Sequence, residues 1–272
     1  MGRYNRFRKD AVFGKDLSDN KSKPYDQMEF DMIYNDKTLN IFSDASGFDN
    51  RKSSYGIIAA CRDTIIYTAT YCLEDGTAQR AEALGLRLAL LFAAANAHKY
   101  PYINIFSDSM NCVNTVTRHG EYLTKPITDD EGNITSYGLY NPNSNNYIAN
   151  SDVLSECIKV FRDLSCMVDF CLVQLHHINS HIITEKQAFN TDELDKAREK
   201  YQSSNDTFGV PTREYFMYLA KYNNIIDYTV KMTLKEMIHR EKKAHKLFTY
   251  CPIRFLPPKT PESYFRKELP EF

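Results

Sequence analysis

The chain has 272 residues, with 34 Lys and Arg against 35 Asp and Glu and a formal net charge of −1. That balance excludes a whole-molecule field drawing it to nucleic acid, so any electrostatic footprint is local. The longest apolar run, residues 88–95, is far too short for a membrane span, and the length alone admits one or two domains.

Seven Cys occur with no Cys-x-x-Cys pair, and Cys61, Cys72, Cys112, Cys157, Cys166 and Cys171 lie in apolar stretches. They read as small buried hydrophobes in a reducing compartment, with no disulfide partner and no zinc site. The expected location is the cytoplasm, or a host cytoplasm if the source is viral or phage.

Residues 1–36 are polar and unpatterned, and residues 1–23 carry seven Lys/Arg against three Asp. A solvated arm is the plain expectation, and an arm that touches phosphates the sharper one. Leu39 to Ser43 alternates as a strand, and Asp44 is expected at its end, followed by a Ser-Gly turn. Ser53–Cys61 and Thr64–Cys72, rich in Ile, Tyr, Thr and Ala and joined by Cys-Arg-Asp, predict a hairpin onto that strand.

Thr77 is a suitable N-cap for a helix over 77–95, in which Leu84, Leu88, Leu91 and Ala95 fall at helical spacing. Glu82 lies beside this apolar stripe, where burial costs several kcal/mol unless the carboxylate is paired or binds a metal. Tyr102–Phe106 predicts a strand that ends in Ser107-Asp108-Ser109, with a helix over Met110–Thr117 after it. This strand should pair in parallel with the first through a right-handed crossover.

Residues 119–150, with Gly, Pro, Asn and an acidic turn at 128–132, suggest a long hairpin or loop. An amphipathic helix follows over Asp152–Leu164, then a last strand over Cys166–His177. Residues 183–212 read as a charged insertion, cheap in closure entropy at a surface. The final helical region spans about Arg213–Phe248, as one helix or two. Residues 231–246 hold six Lys/Arg against two Glu, a local cationic stretch suited to a solvated face or to phosphate. The Pro-rich tail cannot form regular structure. These elements predict an α/β fold: a mixed five-stranded sheet with helices on both faces, insertions and a helical C-terminal extension.

Asp44 and Asp108 at strand ends and Glu82 on a helix aim three carboxylates at one place. A fourth comes from Asp227, four residues after Asn223, or from Asp192 or Asp195. Such an all-oxygen set suits a hard divalent ion, not zinc.

The order Asp44, Glu82, Asp108, then a His and a late Asp, resembles ribonuclease H of type I. Ala78-Gln-Arg-Ala-Glu82 looks like the helix start of retroviral ribonuclease H domains. His177-Ile-Asn-Ser-His181 resembles the family's His-x-x-Gly-His segment, with Ser180 in place of Gly. The resemblance covers about residues 37–235 and implies a ribonuclease H-like catalytic domain, an arm over 1–36 and an extension over 236–272.

The family's last carboxylate stands in Asn-x-x-(small apolar)-Asp, which Asn223–Asp227 matches. By this resemblance Asp44, Glu82, Asp108 and Asp227 hold two Mg²⁺, for which Mn²⁺ can substitute, and His181 assists proton movement or product release. The resemblance also implies an RNA/DNA hybrid as substrate, cut in its RNA strand. Ser46, Gly47, Thr77 and Gln79 are placed to contact it. Ala78 and Gln79 stand where the family often has Asn. His177 is expected to orient the following loop and His176 to be a packed or surface residue. Rival expectations are a nuclease of this fold acting on DNA or other structured nucleic acid, and a non-catalytic hybrid-binding or assembly module. The related exonucleases open with Asp-x-Glu, whereas this chain has Asp44-Ala-Ser46.

Overall fold

A computed structural model describes residues 30–48, 51–167, 169–178, 191–205 and 212–248. Most of the N-terminal arm, the Pro-rich tail and His181 lie outside the described residues. The chain divides into two compact units, Met1–Leu234 and Lys235–Phe272.

The central strand β1 (Thr38–Phe48) pairs antiparallel with β2 (Lys52–Cys61), which pairs antiparallel with β3 (Thr64–Glu74). On its other side β1 runs parallel to β4 (Tyr102–Ser107), and β4 parallel to β8 (Leu172–His177). The order β3-β2-β1-β4-β8 is the expected mixed five-stranded sheet. Residues 38–44 of β1 are buried without interruption, because helices cover both faces and each parity needs an apolar cover.

The helix α1 (Ala78–Asn96) begins at Thr77, whose hydroxyl accepts the Arg80 N–H at 3.2 Å. Its Ala- and Leu-rich face packs on β1 and β2, and against α3 (Ser151–Ser165). Between β4 and α3 comes the short helix α2 (Met110–Thr117). The opposite sheet face presents Phe42, Ile58, Ala60 and Phe106 to Phe216, Leu219, Tyr222, Ile226 and Val230. Those five belong to α5 (Arg213–Phe248), a single continuous helix. Another helix, α4 (Thr191–Asn205), lies within the expected insertion over 183–212.

Several expectations need correction. Asp44 does not start a turn: β1 stays paired with β2 out to Phe48↔Lys52, so that ladder satisfies the amides of the expected Ser-Gly turn. Residues 119–150 do hold the expected hairpin, β5 (Leu123–Thr128) with β6 (Ile134–Asn141), but extend it with a 3₁₀ turn (His119–Glu121) and a third strand, β7 (Asn146–Tyr147). The last strand starts at Leu172, because α3 runs to Ser165 and the Cys166 N–H closes its end on Arg162 and Asp163. Cys72 and Cys166 are exposed, one on the edge strand and one at that helix end, whereas Cys112, Cys157 and Cys171 are buried. Among the described residues no helix is long and apolar enough to cross a membrane.

A buried polar chain ties the sheet to α5. His176 Nε2 donates to Asn104 at 3.1 Å, and the Asn104 amide donates to Asn40 at 3.0 Å. Asn40 in turn donates to the Tyr218 hydroxyl at 3.0 Å, and that hydroxyl donates to the Arg62 carbonyl at 3.1 Å. The two middle links, through Asn104, Asn40 and Tyr218, are buried. Asn40→Leu breaks the middle and strands the Asn104 amide and the Ile33 carbonyl, which Asn40 also serves at 2.7 Å. The expected cost is about 1–3 kcal/mol, read as a lower midpoint in urea; an unchanged midpoint would show that the network contributes nothing to stability.

Candidate active site

Asp44 shares its sheet face with Asn40 and Phe42, and Asp108 follows the last residue of β4, one residue past the Ser43↔Ser107 pair. The two carboxylates therefore stand on neighbouring parallel strands, Asp44 within β1 and Asp108 just past the end of β4. Both are pushed well above the usual carboxylate range. Asp44 is raised to about 8, first by burial and then by the negative charge of Asp108. Asp108 is raised to about 6, by burial and then by the charge of Glu82. Asp227 adds to the repulsion at both.

Glu82 enters from α1, half-buried, and accepts the Ser109 hydroxyl at 2.7 Å. Asp227 enters from α5, the fourth element to contribute. Its carboxylate is held by Lys231 one turn later, with Nζ at 2.6 Å from Oδ1 and 2.7 Å from Oδ2. Asp195, the competing fourth acid, is instead taken up by Arg198 at 2.7 Å and Arg213 at 2.8 Å. Asp192 lies in the first turn of the same helix, α4. The charge of Asp227 acts on Asp44 and Asp108.

His177 Nε2 donates to the Asp108 carbonyl at 3.1 Å, which fixes the turn that carries this carboxylate. The loop that follows His177, which it was expected to orient, lies outside the described residues; the loop it contacts is that of Asp108. His176 points into the core, stacked on Phe106 with ring centroids 4.9 Å apart.

The expected substrate contacts fall into two adjoining segments. A Cβ on Gly47 would come within 2.8 Å of Ala78 Cβ, so the end of β1 presses on the start of α1 and only Gly fits there. Ser46 and Gly47 are thereby set beside Thr77 and Gln79, the latter two exposed.

The donor set of Asp44, Glu82, Asp108 and Asp227 is all oxygen and anionic. Buried acids that repel one another are the environment a divalent cation relieves, so the residues fit such an ion. Among the described residues, no three acids, His or Cys are close enough to enclose an ion as they stand. Sequence reasoning missed Ser109, Ser54 and the pairing role of Lys231; only the i,i+4 spacing of Asp227 and Lys231 signalled the last.

Sheet order and acid cluster together define an α/β protein of the ribonuclease H-like class. An RNase H family model matches residues 36–199, more than half of the sequence, and the chain belongs to this family of divalent-metal-dependent nucleases. The matched span stops short of Asp227; its place in the cluster rests on the geometry above. Similar solved structures include RNase H1 from the halophilic archaeon Halobacterium salinarum, at 12% identity, covering 62% of this chain and 99% of that one, with a TM-score of 0.34. The PFV RNase H domain is 11% identical over 64% of this chain and 96% of its own, with a TM-score of 0.36. A foamy viral protease-reverse transcriptase in complex with dsDNA is 17% identical over 53% and 83%, with a TM-score of 0.33. No curated protein sequence matches the chain.

Proposed function

We propose that the chain is an endonuclease that hydrolyses the RNA strand of RNA/DNA hybrids with the help of two Mg²⁺ ions. The observation that carries this reading is the mutual electrostatic influence of acids from four separate elements of a chain in the RNase H family. Burying four carboxylates together is unfavourable for the fold alone.

Asp44, Glu82, Asp108 and Asp227 would hold the ions. Bound there, divalent cations supply an activated water and charge relief at the leaving oxygen. Ser109 keeps the Glu82 carboxylate turned towards Asp108, where it can also order an RNA 2′-hydroxyl. His177 keeps the Asp108 turn from drifting. Ser46, Gly47, Thr77 and Gln79 line the edge where a shallow minor groove would lie, and 2′-hydroxyl contacts there would separate RNA from DNA. His181 would move a proton or aid product release. The catalytic domain is assigned to 37–235, flanked by an arm over 1–36 and an extension over 236–272, in a cytoplasmic setting.

Matched RNA/DNA, RNA/RNA and DNA/DNA duplexes, incubated with and without Mg²⁺, test the reading. Metal-dependent cleavage of the RNA strand of the hybrid, lost in Asp108→Asn, is the expected result. Cleavage confined to DNA/DNA overturns the substrate assignment. A second reading, a non-catalytic hybrid-binding module, is favoured by one observation: an ammonium occupies the fourth carboxylate. Hybrid binding with no cleavage of any duplex is its signature.

A further inference from the structure

Lys231 is a cation whose charge bears on the acid cluster. Its ammonium lies on both oxygens of Asp227, at 2.6 and 2.7 Å. Its field also reaches Asp44 on β1 and Asp108 after β4, and opposes the rise of both. An ordinary surface pair spaced i,i+4 acts within its own helix; this one acts on acids from two other elements. Asp227 is only 26% exposed and Lys231 45%, so the pair sits at the rim of the cluster, partly shielded from water.

Its position is built in. Ser54 of β2 donates to the Val230 carbonyl at 2.6 Å, in the buried interior, and Thr233 donates to the Thr70 hydroxyl of β3 at 2.9 Å. These two bonds flank Lys231 and hold its turn of α5 against the sheet beside Asp44.

We propose that Lys231 is a resident counter-cation of the acid cluster, one that holds Asp227 when no metal is bound and must leave it before a divalent ion can share that carboxylate. Lys231 thereby sets the metal affinity of the Asp227 side of the site. A positive side chain and a divalent cation compete for one carboxylate, so the lysine stabilises the empty cluster and weakens metal binding. This inference rests on the proposed metal-dependent function and concerns a positioning residue, not a catalytic one.

The test is calorimetric titration of the full chain with Mn²⁺ alone, for wild type, Lys231→Met, Lys231→Arg and Asp108→Asn. Lys231→Met should tighten the Mn²⁺ Kd about fivefold or more, the effect of removing an ion pair at a partly buried site. It should also lower the thermal midpoint in chelator while raising the gain in midpoint on adding Mn²⁺. Lys231→Arg keeps the charge and should keep the wild-type Kd. An unchanged or weaker Kd in Lys231→Met, with wild type binding and Asp108→Asn not, overturns the counter-cation role and leaves the metal-site reading standing. Wild type binding no Mn²⁺, or Asp108→Asn binding like wild type, overturns both. A lower midpoint in Lys231→Met at all Mn²⁺ concentrations, with no change in the gain, marks a merely structural lysine and also overturns the proposal.

Discussion

Asp44→Asn should raise the thermal midpoint of the metal-free protein at pH 8.5 while abolishing metal-dependent hydrolysis. The carboxyl of Asp44 moves from 3.8 to about 8 in the fold, with burial the first cause and the charge of Asp108 the second. Below about pH 4 the folded and unfolded chains both hold this proton, and Asp44 makes no difference. Between about pH 4 and pH 8 the folded chain holds a proton that the unfolded chain has released, so stability falls as pH rises. Above pH 8 the full penalty is present. Asp108, raised to about 6, adds a loss of the same sign that is complete nearer neutrality. Each tenfold change in proton affinity is worth about 1.4 kcal/mol, so forcing a charge onto Asp44 costs the fold a few kcal/mol.

An amide at this position removes that charge, and the gain in midpoint should shrink as pH is lowered towards 5. Activity moves the other way. On the proposed function, loss of the Asp44 carboxylate should cost the transition state several kcal/mol of cation-borne charge relief, a fall on the order of 10³-fold or more in rate. Adding Mg²⁺ should raise the wild-type midpoint, and chelator should lower it, because a ligand that binds only the folded state stabilises it by mass action. Melting curves over pH 5–9, in chelator and in Mg²⁺, read all of this. A lower midpoint for Asp44→Asn in chelator at pH 8.5 would sink the picture of a clustered, repelling set of acids.

Much of this site was legible in the sequence because strands have a period of two and helices one of 3.6. Asn40, Phe42 and Asp44 share a parity, as do Asn104, Phe106 and Asp108, so parallel pairing of β1 and β4 puts both acids on one face. Glu82 was legible from its place beside the stripe of Leu84 and Leu88, both buried. The extent of β1 past Asp44 was not, since Asp-Ala-Ser-Gly carries turn chemistry that only the long partner β2 overrides.

The full extent of the small sheet over 119–150 was hidden for a related reason. Pro126 stands inside β5, and Gly and Asn residues punctuate β6 and β7. The register of Asn223–Asp227 pointed to Asp227, but the pairing of Asp195 with Arg198 and Arg213 was not legible, because no local rule announces it. Lys231 looked like the start of a cationic stretch suited to a solvated face or to phosphate, yet its partner is the acid one turn before it.

Gly56→Ala should destabilise the chain and loosen the acid cluster together. Gly56 lies directly across from Asp44 in the β1–β2 ladder and across from Thr70 in the β2–β3 ladder. A Cβ added there would sit 2.5 Å from the Ala69 carbonyl oxygen, 2.7 Å from Thr70 Cγ2 and 3.2 Å from Thr70 Cα. Two of these three atoms are backbone, so no side-chain rotation makes room. The ladder itself must open between β2 and β3, or β2 must shift towards β1 and carry the Asp44 backbone with it.

Overpacking of this kind costs about 1–3 kcal/mol, a drop of several degrees in midpoint for a chain of this size. Any displacement of Asp44 also weakens metal binding, so the Mn²⁺ Kd of Gly56→Ala should rise at a temperature where the variant is fully folded. Gly120→Ala is the matched control, because a Cβ there meets nothing within 4 Å. Equal midpoints for the two variants would mean that β2 and β3 absorb the methyl freely and that the tight register opposite Asp44 does not hold the acid in place.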